Sequence, residues 1–279
     1  MIKRIILIFT LIMLISAIPV MAIDTYGGYK VPVDIEINGS FIKCVQKPVM
    51  INGSTYIPLR AFGDAVGAGI SWDENEKSAE LTKDNHTFVF YSEKNHSVVD
   101  GVQSSFFAIN YNNLLFVPVR ALSETLGFGV EWDDLYLIVR ITAPGVEIPA
   151  SAKDNAYTTE DIKYLGKITH IESGYQDFKV RLGVAATVLN RVKSREFPNS
   201  IKDVIFDTKY GVQFPPAHTE RFNNLTPSKE SVIAAKCALN GVNLVDNSLY
   251  FVDVAYTAGS WVHNNRPHCI TIVDMAFYR

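Results

Sequence analysis

Two different patterns of hydrophobic and polar positions divide the chain. Up to about residue 142, short runs rich in β-branched and aromatic residues are separated by Asn-Gly or Asp-Gly pairs, at Asn38-Gly39, Asn52-Gly53 and Asp100-Gly101. Such pairs favour tight turns between antiparallel strands. From about residue 158, apolar residues recur at helical spacing, and two short apolar runs follow near the C-terminus. The pattern therefore predicts an α+β chain with a β-rich first half and a second half of helices followed by a small sheet.

Three helices are predicted in the second half. Thr158 and Asp161 form a capping-box-like start for the first, whose apolar stripe runs to Ile171 before a break at Ser173-Gly174. The other two are predicted over Phe178 to Val192 and from Thr226-Pro227 to Gly241. Short strands are predicted over Leu249 to Val252 and Ile270 to Val273. A cleft between the helices and this sheet is the expected place for a site.

The first half contains an internal repeat with a period of sixty residues. Residues 56–61 (YIPLRA) return as residues 116–121 (FVPVRA), and Trp72-Asp73 returns as Trp132-Asp133. Each copy predicts a strand, a proline at the start of a short helix, and a glycine that ends the helix. Because the two tryptophans keep a strict repeat position, we expect them to lie in the core.

These repeated residues resemble the copper amine oxidase N-terminal-like domain, over residues 30–142. The resemblance implies an accessory domain of exported bacterial proteins, here with two repeats. It implies no copper site, because this half has only His86 and His96 and no clustered third ligand. We expect the domain to serve structure or to contact the wall or another protein. Residues 143–157, which begin Ala-Pro-Gly, are predicted to be a linker before a catalytic domain over residues 158–279.

Residues 1–22 have the pattern of an export signal. Lys3 and Arg4 precede an apolar run from Ile5 to Ile18, and the segment ends in Val20-Met21-Ala22. The run is shorter than the roughly 20 residues that a bilayer span needs, which favours cleavage over a permanent anchor. We therefore expect a secreted protein, associated with the cell wall or spore, with no stable membrane span after cleavage.

Composition and charge exclude several classes of function. The 279 residues are 48% hydrophobic and 20% charged, with a formal net charge of −3, so the chain can bury a core and lacks the basic surface typical of nucleic-acid binding. Three cysteines, Cys44, Cys237 and Cys269, allow at most one disulfide. The second half carries 14 basic and 12 acidic residues, a balance that does not repel an anionic wall polymer.

Glu172 is the first candidate for chemistry. It lies at the end of a strongly apolar predicted helix, next to Ile171 and shortly before Tyr175 and Phe178. Apolar surroundings raise the pKa of a carboxyl group, as a general acid requires. The alternative from the residues alone is an ordinary glutamate facing water at a helix end.

The sequence around Glu172 resembles the SleB/CwlJ cell wall hydrolase family, which includes spore cortex-lytic enzymes. The motifs, which run in family order to the C-terminus, are IESG at 171–174, VAATVLNRV at 184–192, FPN at 197–199, VIF at 204–206, GVQF at 211–214, ALNG at 238–241 and AFY at 276–278. The resemblance implies a lysozyme-like catalytic domain that attacks the glycan strand of peptidoglycan. It assigns the single catalytic glutamate to Glu172 and a cleft-lining Gln-Phe pair to Gln213 and Phe214.

The chain departs from the family pattern at three positions. A second glutamate, common four residues after the catalytic one, is Gln176 here; a common glycine is Val180; and a histidine near the end is Met275. Gln176 shares a helix face with Glu172 if the helix continues, and could then bind a sugar. None of these three departures affects Glu172 itself.

Aromatic side chains are expected to stack on sugar rings along the cleft. The candidates are Tyr175, Tyr250, Phe251 and Trp261. The Tyr250-Phe251 pair fits a strand core equally well, whereas Trp261 follows Gly259-Ser260 and is predicted to lie in a loop.

Counting carboxylates favours a lytic transglycosylase over a hydrolase. A hydrolase usually needs two carboxyl groups, and Asp177 and Asp253, the available candidates, have no motif around them. One glutamate suffices if it protonates the leaving oxygen and then accepts the proton of the C6 hydroxyl of the same muramic sugar, which closes a 1,6-anhydro ring. This route needs no cofactor and no metal.

Three alternatives remain open. The first is a zinc amidase that cuts the sugar–peptide bond, for which the sequence has no ligand motif. His170 and Glu172 point about 200° apart on a helix and cannot share an ion. The spacing of His263 and His268 relative to the cysteines fits no standard zinc site. A Cys–His enzyme would need Cys237 or Cys269, which fit core packing or one bridge better. An inactive glycan-binding domain is the third.

Overall fold

The computed structural model describes residues 23–209 and 211–279, so the predicted export signal over residues 1–22 lies outside the described residues. In the part that is described, the fold is α+β, as predicted. No helix there is long and apolar enough to cross a membrane.

Residues 25–142, called the strand-rich half below, form fifteen strands and two short helices. The strands are β1 Thr25–Tyr26, β2 Tyr29–Lys30, β3 Asp34–Ile37, β4 Ser40–Phe41, β5 Val49–Ile51, β6 Ser54–Pro58, β7 Gly69–Asp73, β8 Ser78–Lys83, β9 His86–Tyr91, β10 Ser97–Val99, β11 Val102–Ser104, β12 Ile109–Tyr111, β13 Leu114–Pro118, β14 Gly129–Asp133 and β15 Ile138–Thr142. The helices are α1 Leu59–Val66 and α2 Val119–Thr125.

Residues 159–278, called the helical half, form six helices and a small sheet over the part that is described, 159–209 and 211–278. The helices are α3 Thr159–Ser173, α4 Phe178–Lys193, α5 Ile201–Ile205, α6 Glu220–Asn223, α7 Lys229–Leu239 and α8 Trp261–Asn265. The strands are β16 Tyr250–Asp253, β17 His268–Ile272 and β18 Met275–Tyr278, with β18 in the centre. Single 3-10 turns lie at Ala150–Ala152, Pro215–His218 and Val254–Tyr256.

The two repeats meet through equivalent strands. β6 and β13 pair antiparallel with Ile57 opposite Val117, the same repeat position in each copy. They form the middle of a sheet in the order β12-β13-β6-β5, while β7 to β11 form a second sheet. The third sheet, β14-β15-β3-β4, joins the two ends of this half, because β15 pairs with β3 in parallel.

The predicted turns and helix ends of the repeats are confirmed. Residues of the Asn-Gly and Asp-Gly pairs all have positive φ, for example 50° and 74° at Asn52 and Gly53. Gly67 ends α1 in the left-handed conformation with φ of 70°. Local turn chemistry therefore determined this part of the fold.

The expectation that both repeat tryptophans are core residues is wrong for Trp72. Its side chain lies at the end of the β7–β8 hairpin, is 50% exposed, and donates its ring N–H to Glu74 at 2.6 Å. Trp132 is partly buried instead, because the equivalent β14–β15 hairpin packs against the helical half. The same repeat position is thus solvent-facing in one copy and interfacial in the other.

The helices of the second half agree closely with the predicted ones. Thr158 caps α3 in a full capping box with Asp161, and α4 starts at Phe178 as expected. The third predicted helix begins two residues late, at Lys229, because Ser228 rather than Thr226 caps it.

A buried ion pair joins the two halves of the molecule. The Lys236 ammonium on α7 is completely buried and lies 2.9 Å from the Asp34 carboxylate on β3. It also donates to the carbonyls of Tyr136 and Leu137 at 2.9 and 2.7 Å, and Tyr157 donates its hydroxyl to Asp34 at 2.9 Å. A buried charge is tolerated only when it is paired and hydrogen-bonded, so the two halves depend on each other.

The residues predicted to form a linker also pack against the strand-rich half. Asn38 uses its side-chain amide to bind Ala143 and Val146, and Asp154 accepts from Lys47 at 2.8 Å. Residues 143–154 therefore lie packed along the strand-rich half.

The N-terminal β1–β2 hairpin packs on the start of α4. The rings of Tyr26 and Tyr29 lie 5.1 and 5.9 Å from that of Phe178. Gly27, at the tip, has φ of 58°, and a Cβ there would come within 2.3 Å of the Phe178 ring. Only glycine fits both the backbone conformation and this approach.

Gly27→Ala is therefore expected to reduce the free energy of unfolding by about 1–3 kcal/mol, from backbone strain and overpacking against Phe178. Gly28→Ala is the matched control, because Gly28 also has positive φ, 84°, but an added Cβ would meet nothing within 4 Å. Urea unfolding of both variants measures the difference. Equal losses in the two variants would contradict a specific contact with Phe178.

Candidate active site

Glu172 is a half-buried side chain in the last turn of α3. Burial raises its pKa from 4.5 to about 7, and the nearby Arg191 charge lowers it by a smaller amount. Its Oε1 atom has no hydrogen-bond partner among the residues that the structure describes. At neutral pH, a substantial fraction of this group is therefore protonated and able to donate a proton.

Arg191, on α4, is the positive charge that acts on Glu172. It donates through Nε to the Leu249 carbonyl at 2.7 Å, and its guanidinium stacks on the rings of Phe197, Phe214 and Tyr250 at 4.8, 4.9 and 5.5 Å. Burial lowers its pKa to about 10, so it remains charged at neutral pH. This fixed cation is placed to stabilise the Glu172 carboxylate that forms when the proton leaves.

The pKa of Glu172 predicts how activity depends on pH. If Glu172 is the general acid, the cleavage rate is expected to fall as the pH rises through about 7, because the free enzyme must hold the proton. Initial rates of glycan cleavage between pH 5 and about pH 9 measure this alkaline limb. An enzyme that is fully active well above the Glu172 pKa would contradict the assignment.

Gln176 and Tyr175 lie in the loop between α3 and α4. The helix ends at Ser173, so Gln176 does not share a continuous helical face with Glu172. The Gln176 Oε1 atom is nonetheless buried and unpartnered within the described residues. Tyr175 is 98% exposed, which leaves its ring free to meet a ligand.

Gln213 and Phe214 have different environments. Gln213 is half-buried, and its side-chain amide donates to the Gly211 carbonyl at 3.2 Å. Phe214 is 2% exposed and packs in the core of the helical half against Arg191 and Phe251. A direct sugar contact by Phe214 is therefore corrected to a packing role, in which the ring supports Arg191.

Tyr250, Trp261 and Arg266 form an aromatic cluster beside the small sheet. Arg266 stacks on the rings of Tyr250 and Trp261 at 4.6 and 5.3 Å, and it donates to the Tyr250 hydroxyl at 2.9 Å. Trp261 begins α8 instead of lying in a loop, but it is 58% exposed. Phe251, by contrast, packs between two core clusters.

Neither sequence candidate for a second carboxylate is available. Asp177 and Asp253 cap helices, with backbone N–H groups of Lys179 and Ala255 at 2.8 Å. Sequence reasoning missed Asp207, which is buried and whose charge acts on Arg191. Its Oδ2 atom lacks a hydrogen-bond partner in the described ranges. The signal in the sequence that could have indicated Asp207 is its position directly after the VIF motif.

The alternative chemistries find little support in the geometry. Within residues 23–209 and 211–279, no group of three or more His, Cys, Asp and Glu side chains could hold a metal ion. His170 accepts the backbone N–H of Ser228 at 3.2 Å. In the same described ranges the three cysteines are free, and burial raises the pKa of the Cys237 thiol to about 11, which makes it a poor nucleophile.

Comparison with known families finds two families that match this chain. The copper amine oxidase N-terminal domain matches residues 36–108 and 102–188, and the family described as cell wall hydrolase matches residues 176–278. The chain carries a cell wall hydrolase domain behind copper amine oxidase N-terminal domains. The second N-terminal match continues past β15 into α3 and α4. Glu172 lies four residues before the start of the cell wall hydrolase match.

Curated relatives of the cell wall hydrolase domain are spore cortex-lytic enzymes. That of Bacillus cereus is 31% identical over 111 residues, which cover 39% of this chain and 40% of the relative. That of Bacillus subtilis is 25% identical over 116 residues, which cover 40% of this chain and 36% of the relative. The chain therefore spans about two fifths of the length of the curated relatives it matches.

Among solved structures, the chain is similar to the catalytic domain of the germination-specific lytic transglycosylase SleB from Bacillus anthracis. The identity is 29%, the TM-score is 0.40, and the match covers 45% of this chain and 99% of that one. The catalytic domain of the Bacillus cereus SleB protein matches with the same identity and TM-score, over 94% of its length.

Proposed function

We propose that this protein is an exported lytic transglycosylase that cleaves the glycan strands of peptidoglycan, with Glu172 as both acid and base. The observation that carries the proposal is the half-buried Glu172 carboxyl, whose pKa is raised to about 7 and which lies near the Arg191 cation. The cell wall hydrolase match and the spore cortex-lytic relatives support peptidoglycan, and spore cortex in particular, as substrate.

The proposed reaction uses one carboxyl group twice. Glu172 donates its proton to the glycosidic oxygen that leaves muramic acid, and the bond from that oxygen to C1 breaks as positive charge builds on the sugar ring. The C6 hydroxyl of the same sugar then bonds to C1, and its proton returns to Glu172. Arg191 stabilises the carboxylate between the two steps. The products are a glucosamine-type 4-hydroxyl and a 1,6-anhydro-muramic end, with no water consumed.

Five other side chains are proposed to hold the strand. Gln176 and Gln213 supply amide groups for sugar hydroxyls. The exposed rings of Tyr175 and Trp261 and the partly buried ring of Tyr250 supply stacking surfaces. For the strand-rich half, we propose a structural role or contact with the wall or another protein. The site is proposed to work with the protein's own groups and without a cofactor, in the wall or at the spore.

Hydrolysis is the second candidate, and Asp207 is the observation that favours it. A buried carboxylate near Arg191 could act as the base that activates water, as the second carboxyl group does in inverting glycosidases.

Mass spectrometry of fragments released by the full chain tests the proposal. Purified cortex and vegetative peptidoglycan are each digested, and the muramic ends are compared. We expect 1,6-anhydro ends, one water lighter than reducing ends. Reducing muramic ends would support the Asp207 hydrolase, free stem peptides an amidase, and binding without fragments an inactive glycan-binding domain.

A further inference from the structure

We propose that Arg181 is a positioning residue, whose guanidinium holds the loop Gly174–Asp177 closed beside Glu172. The inference rests on the proposed function, because it concerns how Glu172 and Gln176 are kept in place for glycan cleavage. It assigns a role to a side chain that lies outside the sequence motifs and does not itself reach the reacting atoms.

Arg181 binds two carbonyl groups of this loop at once. Nη2 donates to the Gly174 carbonyl at 2.7 Å, and Nε donates to the Gln176 carbonyl at 3.1 Å. The side chain is 14% exposed, so both bonds are largely shielded from water. The planar guanidinium fork presents donors in a fixed geometry, which a lysine ammonium cannot reproduce.

The rest of the loop is held mainly through its own backbone. Gly174 donates to the His170 carbonyl at 2.8 Å, and Gln176 donates to the Ser173 carbonyl at 2.9 Å. The Tyr175 side chain is 98% exposed, so it does not fix the loop by packing. Across the described ranges, Arg181 is the one side chain that donates to a carbonyl of this loop. Its loss would therefore remove the main restraint that comes from outside the loop.

Glu230 holds the other side of the guanidinium. Its carboxylate lies 3.8 Å from Arg181 Nη1 and belongs to the first turn of α7. The cap of that helix, Ser228, donates its backbone N–H to His170 on α3. Arg181, on α4, thus connects the loop that follows α3 to α7.

A closed loop keeps Gln176 buried and water away from Glu172. The charge that acts on Glu172 is Arg191 on α4, and Arg191 in turn meets Asp207 from the segment after α5 and Tyr250 from β16. None of these contacts the loop through a hydrogen bond in the described structure. Opening the loop would therefore hydrate Glu172 without moving those groups, and would ease its ionisation.

Arg181→Gln in the full chain tests the inference, with Lys167→Met as matched control. Lys167 also clamps two carbonyls, those of Phe222 and Asn223 at 3.2 and 2.8 Å, but away from the active-site loop. On soluble glycan strands, Arg181→Gln is expected to lower kcat by about 10- to 100-fold, as a small misplacement of catalytic groups does. We also expect the alkaline limb of its pH profile to move to lower pH. Lys167→Met should do neither, and Arg181→Lys should recover part of the kcat.

If Arg181→Gln and Lys167→Met have the same kcat and the same pH profile, the inference is overturned. If Arg181→Gln does not fold, Glu230→Gln keeps the question open to measurement, since it loosens the guanidinium without removing its bonds to the loop. That variant is expected to show the same two changes at smaller size, and unchanged kinetics would equally overturn the inference. A failure of the proposed function is distinguishable, because it would appear as a wild-type enzyme that releases no glycan fragments.

Discussion

Glu172→Gln is expected to lower the rate of glycan-strand cleavage by about 10²- to 10⁴-fold, the usual contribution of general acid–base catalysis. An amide has the shape of the carboxyl group but cannot donate the proton that the leaving oxygen needs. Release of anhydro-muramic fragments from purified cortex measures the loss. Glu196→Gln, an exposed glutamate of the same half, is the control and should keep full activity.

The same variant should not destabilise the protein at alkaline pH. The folded-state pKa of Glu172, about 7, is above its ordinary value of 4.5. The stability that its protonated form contributes is therefore complete below about pH 4.5 and is lost as the pH rises through about 7. Glutamine has no such loss, so at pH 8 we expect Glu172→Gln to unfold at the same or higher urea concentration than wild type. An active Glu172→Gln, or one that is inactive because it is unfolded, would contradict the assigned role.

Asp34→Ala is expected to reduce the free energy of unfolding of the whole chain by about 3–5 kcal/mol, because it leaves a buried charge without its partner. That charge is the Lys236 ammonium, which is fully buried between the two halves. The loss should appear in one transition that includes both halves, since Asp34 belongs to the first and Lys236 to the second. Urea unfolding followed by circular dichroism measures it.

Two controls make this prediction specific. Lys229→Met breaks an exposed ion pair across the same interface, at 2.6 Å from Asp134, and should cost at most about 1 kcal/mol. Asp34→Ala combined with Lys236→Met removes both charges and should regain part of the stability. A loss confined to one of two separate transitions would show that the halves unfold independently.

The local elements could be predicted because their signals are local. The turn pairs such as Asn52-Gly53, the Thr158 capping box and the apolar spacing of α4 each act over a few residues, and the structure has all three. Glu172 was predicted in the same way, from its apolar neighbours and its motif. Its partial burial and raised pKa agree with what those neighbours indicate, while its catalytic role stays a proposal.

The features that sequence reasoning missed are set by tertiary packing. Trp72 and Trp132 occupy the same repeat position, but only the second hairpin meets α7, and no pattern within the repeat distinguishes them. Lys236 lies in an apolar helix, where a lone lysine gives no indication of a partner about 200 residues earlier on β3. Asp207 and Arg191 approach each other only because α4 and the segment after α5 pack together. Long-range contacts of this kind leave no periodic signal in one sequence.

The pairing of β3 with β15 and the contact of Gly27 with Phe178 also determine the order in which this molecule can be completed. Each joins segments separated by 100 residues or more. Early in synthesis, β1–β2 and β3–β4 can therefore pair only with each other as local hairpins, without these distant contacts. Contacts this distant in sequence carry a large loop-closure cost and are formed slowly. Until β15 is made, β3 has an open edge, and until α4 is made, the β1–β2 hairpin exposes its tyrosines; such surfaces promote aggregation. We therefore expect the tendency to aggregate to be greatest while only the N-terminal strands have been made.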